Sequence, residues 1–154
     1  MGLPRFVWQR AYETGIPEVD MQHRMLFDAI NRLADILESG STISLRDLNG
    51  SLAFLKYYAE WHFQREERIF EKRADDPKHP LLCANRRAHA RFNSLAQEWY
   101  RRFLAMQRDG ASPVQVRQFA QDLYYELIDW VENHVLQVDR RAAAVCAHCP
   151  LHQS

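Results

Sequence analysis

Glycine and proline, the residues most costly inside a helix, are nearly absent from the interior of this chain. Apart from Gly50 and Pro150, the five glycines and six prolines gather at 2–17, at Gly40, at 77–80 and at 110–113. Four long intervals remain, and each carries apolar residues at steps of three and four, the period of a helix face. From Val19 to Glu38 the stripe is Leu26, Phe27, Ile30, Leu33, Ala34 and Leu37, with Gly40 placed to cap the C-terminus. Leu45 to about Arg73 follows Ser44 as N-cap and shows Leu48, Leu52, Leu55, Ala59 and Ile69. Gly50 weakens this segment by about 1 kcal/mol relative to alanine, which the stripe offsets. A third segment starts after Pro80 and reaches about Arg108, with Phe92, Leu95, Ala96, Trp99, Phe103 and Met106 on one side. The fourth has Ser112 as N-cap and Pro113 at the first helical position, then Val116, Phe119, Leu123, Leu127, Trp130, Val131 and Val138.

Helices of this size, roughly 30 to 43 Å long, joined by connections of several residues, pack as antiparallel neighbours. The expected fold is all-α: an up-down-up-down four-helix bundle over 19–141, preceded by an N-terminal arm (1–18). Residues 142–154 are expected to form a C-terminal tail or the start of a linker. No internal repeat or low-complexity segment interrupts this plan.

Twenty basic and 20 acidic side chains balance, so the charge favours no polyanionic partner and nucleic acid is not expected. No apolar run approaches the roughly 20 residues that cross a bilayer, and the N-terminal MGLPRFVWQR holds no continuous apolar stretch. No membrane association and a cytoplasmic location are therefore expected. Three cysteines, Cys83, Cys146 and Cys149, are too few and too odd for a disulfide framework, in keeping with a reducing compartment.

The polar residues that interrupt the apolar stripes carry the chemistry. His23, His62, His89 and His134 fall one per helix, each on the inward face. A single histidine there is most simply a hydrogen-bonded core residue. Four unpaired imidazoles would cost roughly 1 to 3 kcal/mol each, and one shared metal centre satisfies them together. Glu66, four residues after His62, would be a buried negative charge unless paired or coordinated. Asp139 follows His134 by five residues, about 140° around an ideal helix, so both reach one site only if the helix is locally distorted. A π-bulge would do this; the alternative is a solvated aspartate beside Arg140 and Arg141. Imidazoles and carboxylates without thiolate suit iron, manganese or zinc.

These residues resemble the hemerythrin family, specifically the hemerythrin-like domains of bacteria, over about residues 8–141. The matching motifs are W-x3-Y-x-T-G-I-P-x-V-D-x-Q-H-x2-L-F from Trp8 to Phe27, H-F-x2-E-E from His62, H-x2-F from His89, and W-V-x2-H-x4-D from Trp130 to Asp139. The resemblance implies a non-haem centre of two iron ions with a bridging oxo or hydroxo group, binding dioxygen or a small anion such as azide. It further implies Glu66 and Asp139 as bridging ligands, His23 and His62 on one iron, and His89 and His134 on the other. The family usually places a further histidine four residues before the one matching His89, and here Asn85 stands there. An asparagine carbonyl is a far weaker iron ligand than imidazole. Leu26, Phe63, Trp130 and Val131 are expected either as the apolar wall of a ligand pocket or as core.

The substitution at Asn85 favours an oxygen or redox sensor, working through a partner protein or a signalling output domain. The alternatives are a plain dioxygen carrier or store and, from another class, a di-iron oxidase or peroxidase; the leading reading is not an enzyme. In the tail, Cys146, Cys149 and His152 resemble half of a zinc or redox motif, and a featureless tail is the simpler reading. The charged groups at 65–68 and at Arg86, Arg87 and Arg91 read as solvated faces.

Overall fold

The computed structural model describes residues 2–40 and 42–147. Four long helices form the bundle: α1 (Pro17–Glu38), α2 (Leu45–Arg73), α3 (Pro80–Asp109) and α4 (Pro113–Asn133). A six-residue π-helical turn (His134–Asp139) follows α4 directly and leads into α5 (Arg140–Ala147). No strand occurs among the described residues. The fold is an all-α four-helix bundle, and among the described residues no helix is long and apolar enough to cross a membrane.

Local chemistry explains the boundaries. Pro17 supplies a φ suited to the first helical position, so α1 begins two residues before Val19. Asp20 ties this end to the preceding turn by accepting from the Thr14 N–H (2.8 Å) and hydroxyl (2.7 Å). Ser44 accepts from the Asp47 N–H at 3.0 Å to start α2. Ser112 and Gln115 form a reciprocal capping box at the start of α4. At the end of α3, Gly110 adopts φ 83°, a left-handed conformation that glycine takes without steric cost. His79, half-buried, caps α3 by accepting from the Leu81 N–H.

The N-terminal arm is strapped to the bundle. Phe6 stacks on Phe27 with ring centroids 4.0 Å apart, and Asn31 both donates to the Phe6 carbonyl and accepts from its N–H. The Tyr12 hydroxyl donates to Glu132, and the Tyr124 hydroxyl donates to the Pro4 carbonyl.

The core is divided in two. The larger apolar cluster fills most of the bundle from Phe103 and Leu48 to Phe63, Val131 and Val135. A smaller cluster of Ile16, Val19, Phe70, Leu82, Ala142, Ala143 and Cys146 closes one end. Helix therefore continues beyond Arg141, and Cys146 is buried with its Sγ 3.5 Å from the Phe70 carbonyl. Cys149 and His152 lie outside the described residues. Val138, expected on the inward stripe, is only half-buried, because the π turn gives the inward place to Asp139.

Candidate metal centre

Between the two apolar clusters lies a layer of buried polar side chains: His23 from α1, His62 and Glu66 from α2, Asn85 and His89 from α3, and His134 and Asp139 from the π turn. Each except His134 is at most 2% exposed; His134 is 5% exposed. The π turn settles the aspartate. Arg140 N–H bonds the Val135 carbonyl five residues back, and the wider turn brings Asp139 onto the face of His134.

Every imidazole aims its Nε2 at the carboxylates, and the carboxylate oxygens divide between two histidine pairs. Glu66 Oε2 lies 3.0 Å from His23 and 3.2 Å from His62, while Oε1 lies 3.3 Å from His89. Asp139 Oδ2 lies 3.1 Å from His23, and Oδ1 lies 2.8 Å from His134. Two overlapping groups result, His23–His62–Glu66–Asp139 and Glu66–His89–His134–Asp139, with potential ligand atoms within 4.8 Å of one another in each. Both carboxylates belong to both groups, the arrangement a pair of bridged metal ions requires.

Asn85 occupies the second group without pointing an oxygen into it. Its Nδ2 donates to Glu66 Oε1 at 3.0 Å and to Asp139 Oδ1 at 2.7 Å, the oxygens that face His89 and His134. Its own Oδ1 is buried with no hydrogen-bond partner. A buried amide oxygen left unpaired is costly, and with its nitrogen turned to the carboxylates Asn85 leaves one that nothing among the described residues satisfies.

The electrostatics favour positive charge at the centre. Burial alone would lower the His23 pKa, but the hydrogen bonds and charges of Asp139 and Glu66 overcome it and raise the value to about 10. For His89 burial is likewise outweighed by Glu66 and Glu67, giving about 9. Burial does dominate at His62, whose pKa is lowered. Glu66 is held well below the usual carboxylate range by the surrounding imidazoles, despite its burial. Protons on two imidazoles thus supply the countercharge that metal ions would supply by displacing them. Neither group contains a thiolate, and imidazoles with carboxylates suit iron, manganese or zinc.

Outer contacts orient the ligands. Gln22 Oε1 lies 2.7 Å from His62 Nδ1, which fixes the proton there and leaves the Nε2 lone pair facing inward. Glu67 lies 3.2 Å from His89 Nδ1 in the same role. Tyr58 holds the same stretch of α1 by donating to the Gln22 backbone carbonyl at 2.7 Å. Sequence reasoning passed over Gln22 and Glu67; a glutamine four residues before Leu26 on the α1 stripe was the available signal. Of the residues expected as pocket wall or core, Phe63 stacks on His89 at 4.0 Å and Trp130 on His134 at 4.4 Å. Leu26 and Val131 are buried in the larger apolar cluster.

Fold and site together define a helical-bundle metal-binding domain. Residues 14–146 match the hemerythrin HHE cation binding domain, and the chain belongs to the hemerythrin family. It is similar to the bacteriohemerythrin of Clostridium acetobutylicum, with 24% identity over 136 residues, covering 88% of this chain and 96% of that protein. The bacteriohemerythrin of Methylococcus capsulatus is 25% identical over 134 residues, covering 86% of this chain and 90% of the relative.

Proposed function

We propose that this chain is a non-haem di-iron dioxygen-binding domain that senses oxygen or redox state. His23 and His62 would hold one iron, His89 and His134 the other, with Glu66 and Asp139 shared between them. Bound there, the iron pair would supply the electrons that reversible dioxygen binding requires. The chain's own residues set how that chemistry ends. Phe63 and Trp130 stack on the His89 and His134 rings, and with Leu26 and Val131, buried in the same apolar cluster, they would form an apolar wall that keeps water from the centre. Gln22 and Glu67 keep His62 and His89 in the tautomer that presents Nε2.

The observation that carries the sensor reading is the amide of Asn85, which donates to both shared carboxylates where the family places an imidazole. One neutral nitrogen donor is lost on that side, and the carboxylates are made poorer donors by the hydrogen bonds they accept. The balance between ferrous and ferric states changes accordingly. Rapid oxidation in air handicaps a store and suits a sensor. Ligands would come from α1, α2, α3 and the π turn that continues α4, so a change of iron charge would act on how these elements pack. A partner protein or output domain would read that change.

The test is to mix anaerobically reduced, iron-loaded protein with air and follow the visible spectrum. A short-lived oxy form followed by ferric bands supports the sensor reading. An oxy form persisting for hours would overturn it in favour of a carrier or store. Absence of iron after anaerobic reconstitution would remove the di-iron centre altogether.

A further inference from the structure

Away from the polar layer, the start of α1 and the last turns of α2 frame an open pocket of about 210 Å³. Four cationic side chains of α2 line it: Arg65, Arg68, Lys72 and Arg73. Among the described residues, Glu18 is the only carboxylate in the lining. The whole chain balances 20 basic against 20 acidic side chains, so this excess is local. Arg65 meets Glu18 through its Nε at 2.6 Å. Neither Arg68 nor Arg73 has a carboxylate within ion-pair distance among the described residues.

Helix polarity accounts for part of this charge. Lys72 and Arg73 stand in the last turn of α2, where cations complement the negative end of the helix dipole. That effect fades within one turn, so it leaves Arg65 and Arg68 unexplained. Along 65, 68 and 72 the cations follow at steps of three and four, where like charges repel. Across the pocket α1 presents the positive end of its own dipole, and its N-cap, Ile16, makes no side-chain cap. Residues 65–68 alone read as a solvated face; the fold adds Lys72, Arg73 and the start of α1 to them.

We infer that this pocket is a binding site for a small soluble ligand bearing two phosphoryl groups. From Arg65 to Arg73 the helix rises about 12 Å, a span over which long side chains can engage more than one phosphoryl group. Guanidinium forks take phosphate oxygens in pairs, and the Lys72 ammonium adds a point charge. Balanced net charge disfavours a long polyanion, whereas a local excess suits a short one. Bound there, the ligand clasps α1 to α2 beside Ile16 and Ile69, which pack in the cluster closing the bundle. Binding to the folded chain alone raises its stability. Nothing in this pocket depends on the metal centre.

Titration calorimetry of the full, metal-loaded chain with inorganic pyrophosphate and with inorganic phosphate tests this. Metal content is measured before and after, so that extraction of metal is not mistaken for binding. One pyrophosphate per chain, held more tightly than phosphate and raising Tm, is the expected result. Combining Arg68→Gln with Arg73→Gln should weaken binding about tenfold or more, while Arg46→Gln, at the other end of α2, should leave it unchanged. Glu18→Gln removes the competing carboxylate and should tighten binding several-fold, which keeps the test open if the double variant folds poorly. No saturable binding of pyrophosphate, or equal binding by the wild type and these pocket variants, overturns the inference. Cosedimentation with vesicles of phosphatidylcholine and phosphatidic acid separates a lipid headgroup from a free ligand: vesicle binding without binding of soluble pyrophosphate also overturns it.

Discussion

Asn85 donates its amide to Asp139 at 2.7 Å, on the same oxygen that meets His134 at 2.8 Å. A neutral side chain thus competes for a carboxylate oxygen that a metal ion beside His89 and His134 would use. Replacing it with histidine restores a nitrogen donor and removes that competition. Asn85→His should therefore lengthen the life of the oxy form in air severalfold. Stopped-flow absorbance of the two reduced proteins mixed with oxygenated buffer compares them directly.

Gln22 should matter to metal binding although it touches no shared carboxylate. Its oxygen accepts the His62 Nδ1 proton at 2.7 Å. Losing such a support typically weakens metal affinity by about 10- to 100-fold. Gln22→Met keeps the volume and removes the acceptor. Competition with a coloured chelator should show the loss while the helical circular dichroism stays intact. An unchanged affinity would show that packing alone orients His62.

The metal-free protein should become less stable as the solution turns alkaline. His23 and His89 are raised to about 10 and about 9 from 6.5, so through that window the folded state holds more protons than the unfolded state. Their stabilisation is complete below about pH 6.5 and disappears as pH climbs through the folded values. His62, with its pKa lowered by burial, acts in the opposite sense, but only below its ordinary value. Metal loading removes the imidazole protons and should flatten the alkaline decline. Thermal melts with and without chelator test this, and parallel curves would count against it.

Helix α5 should stabilise the end of the bundle. Ala142, Ala143 and Cys146 are each fully buried there against Val19, Phe70 and Leu82. Ending the chain after Arg141 removes that apolar contact at a cost of roughly 2 to 4 kcal/mol. A fall in Tm of several degrees is expected, with faster loss of metal to chelator. A truncated protein as stable as the full chain would show that α5 contributes little.

Much of this architecture was legible because its signals are local. Ser44, Ser112, Pro113 and Gly110 mark helix ends through their own backbone and side-chain chemistry, and they stand where expected. The four histidines were legible for a different reason: a polar residue inside an apolar stripe has only one direction to face. Gln22 and Glu67 were not, since a polar residue beside a ligand reads equally well as solvated surface until the facing helix is known. Asn85 was legible in position but not in orientation. Whether it turns oxygen or nitrogen toward the centre depends on two carboxylates, 19 residues before it and 54 residues after it. The fate of Cys146 also depended on distant partners on α1, α2 and α3.

The π turn reaches beyond the aspartate it re-aims. An uninterrupted helix would carry the inward phase of Val131, His134 and Val135 on through Val138, Arg141 and Val145. The wider turn advances that phase by one residue, so Asp139, Ala142, Ala143 and Cys146 face inward while Arg141 stays in solvent. One extra residue therefore keeps a guanidinium out of the closing apolar cluster while placing a carboxylate in the polar layer. Any insertion or deletion between His134 and Asp139 would be felt at both places at once, because ligand placement and the seal over the bundle share a single register.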